Sequence, residues 1–275
     1  MSTSCDLHRG TGIACVPSGW RYLAGGVLAL AAGAVGAETS YGPALTLGEG
    51  SARVYLVTEG DAPVELGLAL DDAFLAALPP DGAPHGMVMP DGHSTFEYVL
   101  AMPENNPTPF RHLTLDWNPA GHVPEGVWNV PHLDVHFYVI SNDERLAIHP
   151  SDPAFADKGQ RLPDAAFVPA GYVDPGIPPV PLMGLHLVDP DSPELHPDTP
   201  QPFTHTFLYG SWDGRLIFLE PMVTTAYLQG REDAVRRLPV AERYEPAGYY
   251  PDGYRVHWDE ATGEHRVALT GLAMR

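Results

Sequence analysis

Eight residues constrain this chain more than any others: Pro131–Tyr138, Pro-His-Leu-Asp-Val-His-Phe-Tyr. His132, Asp134, His136 and Tyr138 share one parity, and Leu133, Val135 and Phe137 share the other. Successive side chains of a β-strand point to opposite faces, so the pattern predicts a strand with one apolar face and one face bearing two imidazoles and a carboxylate. The β-branched and aromatic neighbours favour a strand over a helix. Each strand residue rises about 3.3 Å, which sets His132 and His136 about 13 Å apart. A histidine nitrogen binds its metal at about 2 Å, so the two do not share one ion unless a bulge intervenes. His132 with Asp134, or Asp134 with His136, can converge.

Turn signals recur every ten to twelve residues through the rest of the chain. Ser51–Thr58 and Pro63–Leu70 alternate around a Glu-Gly-Asp turn and predict a hairpin. Asp71–Leu78 combines a capping residue with good helix formers and stops at Pro79, which predicts a short helix. His93–Met102 and Phe110–Trp117 read as strands, the latter with His112, Thr114 and Asp116 on one parity. Asn118–Gly126 is a loop that delivers His122 beside the central strand. The Pro- and Gly-rich stretch Pro150–Pro181 reads as a lid or as a wrapping connection. Met183–Val188 brings in His186, and Phe203–Tyr209 with Arg215–Glu220 forms a hairpin around Gly210–Gly214. Met222–Leu228 is expected to be a brief helix, and Tyr254–Trp258 with Glu264–Leu272 a closing hairpin. Many short strands with little helix predict a mainly β protein, a single antiparallel β-sandwich or barrel-like domain over residues 38–275.

The first 37 residues read as a leader. Arg9 and Arg21 precede or open the apolar run Tyr22–Val35, and Val35-Gly36-Ala37 offers small residues for cleavage. Export to the periplasm, cell envelope or exterior is therefore expected. Both cysteines, Cys5 and Cys15, fall in this segment, so the chain beyond it has neither a disulfide framework nor a cysteine-based zinc site. With 15 basic residues against 35 acidic ones, a formal charge of −20, the chain is ill suited to nucleic acid or to an anionic membrane surface. No membrane association beyond the leader is expected.

Imidazoles with carboxylates suit zinc, manganese, iron, nickel or copper without selecting among them. The preferred ligand set is His136 with His186 and Glu220, while Asp134 orients an imidazole or ligates directly. His132, His122 and His205 complete the polar cavity. Three protein ligands leave an open coordination position, as catalytic ions require. The other histidines (His85, His93, His112, His149, His196, His257 and His265) are expected at the surface. A metal-free acid–base pair of Asp134 and His136 is a further option. Gly-x-Ser-x-Gly and glycine-rich phosphate loops are lacking.

The ordered motifs Trp117-Asn-Pro-x-Gly121-His122-x-Pro124, Pro131-His132-x-Asp134-x-His136-Phe137-Tyr138, Met183-Gly184-x-His186, Phe203-Thr204-His205-Thr206-Phe207 and Glu220-Pro221-Met222 resemble a family of exported bacterial proteins of unknown function, called TTHB-type. Leu133 and Val135 stand where aromatics are expected in that family. The resemblance implies a β-rich exported protein and supplies no activity. The expected function is thus a metal-dependent hydrolase or a cupin-like oxidoreductase acting on a small molecule. The alternatives are a non-catalytic envelope-stress, metal-binding or ligand-binding protein, and a homo-oligomer whose histidines satisfy one another.

Overall fold

The two parities of Pro131–Tyr138 go to two different surroundings in the computed structural model, which describes residues 36–89 and 92–275. In chain order the first strands are β1 (Ala37–Tyr41), β2 (Leu45–Leu47), β3 (Gly50–Glu59), β4 (Ala62–Leu70), β5 (Met87–Val88), β6 (Ser94–Ala101), β7 (His112–Asn118) and β8 (His132–Tyr138). There follow β9 (Leu185–Leu187), β10 (His205–Trp212), β11 (Arg215–Thr224), β12 (Ala234–Arg237), β13 (Tyr249–Tyr250), β14 (Gly253–Asp259), β15 (Glu264–Thr270) and β16 (Ala273–Met274). The helices are short: α1 (Asp72–Ala77), α2 (Asn142–Leu146), α3 (Phe155–Gly159) and α4 (Thr225–Gly230). The protein is mainly β, as expected, with antiparallel sheets throughout.

One sheet runs β1-β3-β4-β15-β14-β12, with β2 also on β3, a second runs β5-β6-β7-β8-β11-β10-β9, and β13 pairs with β16 in a two-stranded sheet. Val54, Leu56, Leu66, Leu68 and Val267 of the first sheet join Leu113, Leu115, Leu133, Val135, Phe137 and Leu219 of the second in one buried core. Each such side chain contributes about 1.5–3 kcal/mol by leaving water. The Leu-Val-Phe parity of β8 therefore faces the sandwich interior.

The polar parity of β8 faces away from that core and is buried nonetheless. Toward its Tyr138 end, Tyr138, Ile140, Ile148, Met183, Ile217 and Phe218 form one apolar cluster. Toward its His132 end, Trp128, Val188, Phe203, Leu208 and Met222 form another. Ile148, Met183, Val188 and Phe203 come from the irregular connection between β8 and β10, which thus covers the outer face of the second sheet.

Local chemistry explains the boundaries. Asp71 caps α1 by accepting from the Phe74 amide at 2.7 Å. The β10–β11 turn is Asp213-Gly214, both with positive φ (50° and 80°), so the strands run through Gly210–Trp212 instead of stopping short of them. A bulge between Gly210 and Ser211 absorbs the irregularity. The expected helix over Met222–Leu228 starts later than predicted, because β11 continues across Pro221 to Thr224. Pro221 pairs with Phe207 of β10, while the ladder to β8 resumes at Met222 opposite Asp134. The Thr224 hydroxyl then accepts from the Tyr227 amide at 3.2 Å and opens α4. The expected leader and both cysteines lie outside the described residues, apart from Gly36 and Ala37. Among the described residues no helix is long and apolar enough to cross a membrane.

Candidate metal centre

Three backbone devices bring distant residues to the outer face of β8. The register that pairs Leu219 with Phe137 and Met222 with Asp134 sets Glu220 beside His136. Gly184 has φ +80°, and a Cβ there would meet the Ser211 carbonyl at 2.4 Å, so only glycine lets the chain turn into β9 and present His186. Gly121 has φ +75° with the Trp128 carbonyl 2.2 Å from where a Cβ would stand, and it directs His122 back over the strand.

The result is two groups in succession along β8. In the first, one atom each of His136, His186 and Glu220 lie within 4.8 Å of one another. His136 Nε2 is 3.3 Å from Glu220 Oε1, and His186 Nε2 is 3.6 Å from Glu220 Oε2. His136 and Glu220 are buried, whereas the His186 side chain is 19 % exposed and forms the edge toward solvent. The second group is His122, His132 and Asp134, also within 4.8 Å. His122 Nε2 is 3.3 Å from Asp134 Oδ2, and His132 Nε2 is 3.1 Å from Asp134 Oδ1.

Tautomers follow from the partners of the other ring nitrogens. His136 Nδ1 lies 3.0 Å from Asp116 Oδ2 and 3.3 Å from Thr114 Oγ1, and Thr114 itself donates to that carboxylate at 3.4 Å. Nδ1 therefore keeps its proton, and Nε2, facing Glu220, is the nitrogen that can take a metal once its own proton leaves. His136 Nε2 and Glu220 Oε2 are buried and make no hydrogen bond, despite the short distances. Ligands of a tetrahedral ion bound at about 2.1 Å stand about 3.4 Å apart, so these separations match the edges of a coordination shell.

Burial and neighbouring charge set the titration of both groups. Burial pulls His136 down, but the Glu220 and Asp116 carboxylates outweigh it and raise the imidazole to about 9. Burial raises Glu220 against the pull of His136, and it raises Asp116 as well. Burial, then His136, lowers His186 to about 3, which keeps it a neutral donor at neutral pH. Burial also works against charge on His122, yet Asp134 raises it to about 9. Asp134 is buried too, but His132 and His122 hold it well below the usual carboxylate range.

Of the residues expected in the cavity, His205 is placed elsewhere. Its parity on β10 is that of Phe207 and Tyr209, which belong to the core, and its Nδ1 is 2.9 Å from the Tyr254 hydroxyl of the facing sheet. Asp134, expected to orient an imidazole of the first centre or to ligate, lies instead beside the Nε2 atoms of His122 and His132. Asp116 takes that part for His136, a role not assigned from the sequence. Asn118 also joins the site, donating to Asp134 Oδ2 at 2.7 Å while accepting from Thr95 at 2.6 Å. Two of the expected surface histidines are buried: His112 stacks on Tyr138 at 4.8 Å, and His265 is 2.7 Å from Asp72.

Phe218 packs against both imidazoles of the first group, with ring centroids 4.7 Å from His136 and 5.2 Å from His186. Gly210 makes room for it, since a Cβ there would stand 2.0 Å from the Phe218 ring.

Buried His, Asp and Glu groups that could hold a metal ion are thus present. Comparison with family models, curated proteins and solved structures finds no match.

Proposed function

We propose that this protein binds a divalent transition metal through His136 Nε2, His186 Nε2 and the Glu220 carboxylate, and that the bound ion is catalytic. The observation that carries the reading is the pair of buried atoms, His136 Nε2 and Glu220 Oε2, that converge without hydrogen bonding. An unsatisfied buried polar atom costs about 1–3 kcal/mol, which a shared cation removes.

Two imidazoles and one carboxylate leave coordination positions for water or substrate. The same donor set serves zinc hydrolysis and iron-dependent oxidation, so the metal retained decides between hydrolase and oxidoreductase. A bound ion supplies Lewis acidity and a water acidified toward neutral pH. The chain supplies the rest: Asp116 and Thr114 fix the His136 tautomer, Phe218 walls off one side, and His186 marks the approach from solvent. That approach suits a small substrate. The reading of residues 1–37 as a leader supports placing the protein in the cell envelope or outside the cell.

The test is elemental analysis of untagged protein, followed by water proton relaxation with manganese in the site. Retained metal with a rapidly exchanging water supports catalysis. Metal without an exchangeable water supports storage, the non-catalytic alternative. Protein that takes up no metal overturns the reading.

A further inference from the structure

We infer that His122, His132 and Asp134 form a second divalent-metal site, so that the outer face of β8 carries two ions in succession. The inference goes beyond the centre proposed above and stands on separate residues.

Three observations carry it. First, both imidazoles have their tautomers fixed by the backbone. His122 Nδ1 is 2.7 Å from the Val123 carbonyl, and His132 Nδ1 is 2.7 Å from the Val130 carbonyl. A carbonyl only accepts, so each Nδ1 carries a proton and Nε2 is the nitrogen available to a metal. Those nitrogens face the two oxygens of one carboxylate, Asp134 Oδ2 at 3.3 Å and Oδ1 at 3.1 Å. Atoms so placed share either protons or a cation, and a metal-ligating imidazole characteristically gives its other N–H to a carbonyl or a carboxylate.

Second, Asp134 Oδ1 is buried and makes no hydrogen bond, although Asn118 holds the other oxygen at 2.7 Å. Asn118 Nδ2 also points at His132 Nε2 at 3.5 Å, which requires that nitrogen to act as an acceptor. The group is therefore oriented from outside, with one carboxylate oxygen left without a hydrogen bond and both Nε2 atoms turned toward that carboxylate.

Third, Asp116, Asp134 and Glu220 are three buried carboxylates on one face of the sheet. The buried Arg145 guanidinium is engaged by Glu97 at 2.6 and 2.9 Å. Buried negative charge of this kind is costly unless cations stand beside it, and the two groups are where cations can sit. His122, 22 % exposed, gives this site its own edge toward solvent, as His186 does for the first.

The experiment is a titration of untagged full-length protein with cobalt(II) alone, read by visible absorption and by metal analysis after desalting. The wild type is expected to hold two equivalents. His122→Ala, a change in an exposed loop, is expected to hold one, with the spectrum of the first centre unchanged. Glu220→Gln is expected to hold one, with the spectrum of the second. Asp134→Asn repeats the test on the strand itself. A wild type that binds a single equivalent, lost in Glu220→Gln and kept in His122→Ala, overturns the second site and leaves the first intact. A single equivalent lost in His122→Ala and kept in Glu220→Gln upholds the second site and removes the first. Two equivalents retained by both His122→Ala and Asp134→Asn overturn the inference.

Discussion

Asp116 Oδ2 stands 3.0 Å from Nδ1 of His136, and both side chains are wholly shielded from solvent. The contact joins neighbouring strands diagonally, since β7 and β8 pair Asp116 with Asp134 and Thr114 with His136. A carboxylate behind a metal-binding imidazole fixes its tautomer and raises its basicity, and removing such a partner typically costs 10–100-fold in affinity. Asp116→Asn should therefore weaken zinc binding by about tenfold or more. It also removes a charge whose burial is unfavourable, so the metal-free variant should melt no lower than the wild type. Chelator competition and calorimetry read the two effects. Unchanged affinity would show that Asp116 plays no part in the centre.

Metal uptake should depend on pH. Without an ion, the neighbouring carboxylates raise His136 to about 9 and burial raises Glu220, so at neutral pH the pair retains protons that a metal must displace. Both shifts lie above pH 7, and competition by protons therefore weakens as pH rises. Apparent affinity should increase from about pH 6 to about pH 9, with proton release on binding. Calorimetry in buffers of different ionisation enthalpy measures that release. Binding that is independent of pH over this range would exclude the pair as ligands.

His112 and His205 lie outside both metal groups and tune acid stability. Burial lowers each to about 4, below the value near 6.5 of an unfolded histidine. The unfolded chain then binds protons first as pH falls, so the stabilisation is complete above about 6.5 and is lost between about 6.5 and 4. Two such groups give a slope on the order of 2.7 kcal/mol per pH unit. His205→Gln, which can still bond to the Tyr254 hydroxyl, should roughly halve it. Urea midpoints across the window provide the check, and an unaltered slope in the variant would contradict the assignment.

The fold and half of the site were legible because parity in β8 is unambiguous. Leu133, Val135 and Phe137 can only be core, so the polar set had to face the other way. The spacing argument also separated His132 from His136, and the structure places them in different groups. Asp116 escaped because sequence does not fix strand register, and a slip of two residues would give His136 another neighbour. His205 was misplaced because both parities of β10 are apolar, with Phe207 and Tyr209 on one and Leu208 on the other. Buried His112 and His265 were read as surface because the loops and neighbours covering them come from remote sequence. Pro221 read as a strand end, whereas β11 tolerates it by interrupting its ladder to β8 there.

Gly210 positions the centre indirectly. Gly210→Ala would drive a methyl into the Phe218 ring, which packs on both His136 and His186. Overpacking of this kind costs about 1–3 kcal/mol, and the displaced ring should also lower metal affinity. Denaturant unfolding and metal titration of the same variant should move together. A variant of wild-type stability and affinity would show that the ring has room to shift.

Anomalous diffraction from crystals grown with zinc, recorded on both sides of the absorption edge, tests the central claim most directly. The account predicts a peak about 2.0–2.2 Å from His136 Nε2, from His186 Nε2 and from a Glu220 oxygen. Density showing His136 and Glu220 bonded directly to each other, with zinc bound only elsewhere on the molecule, would contradict it.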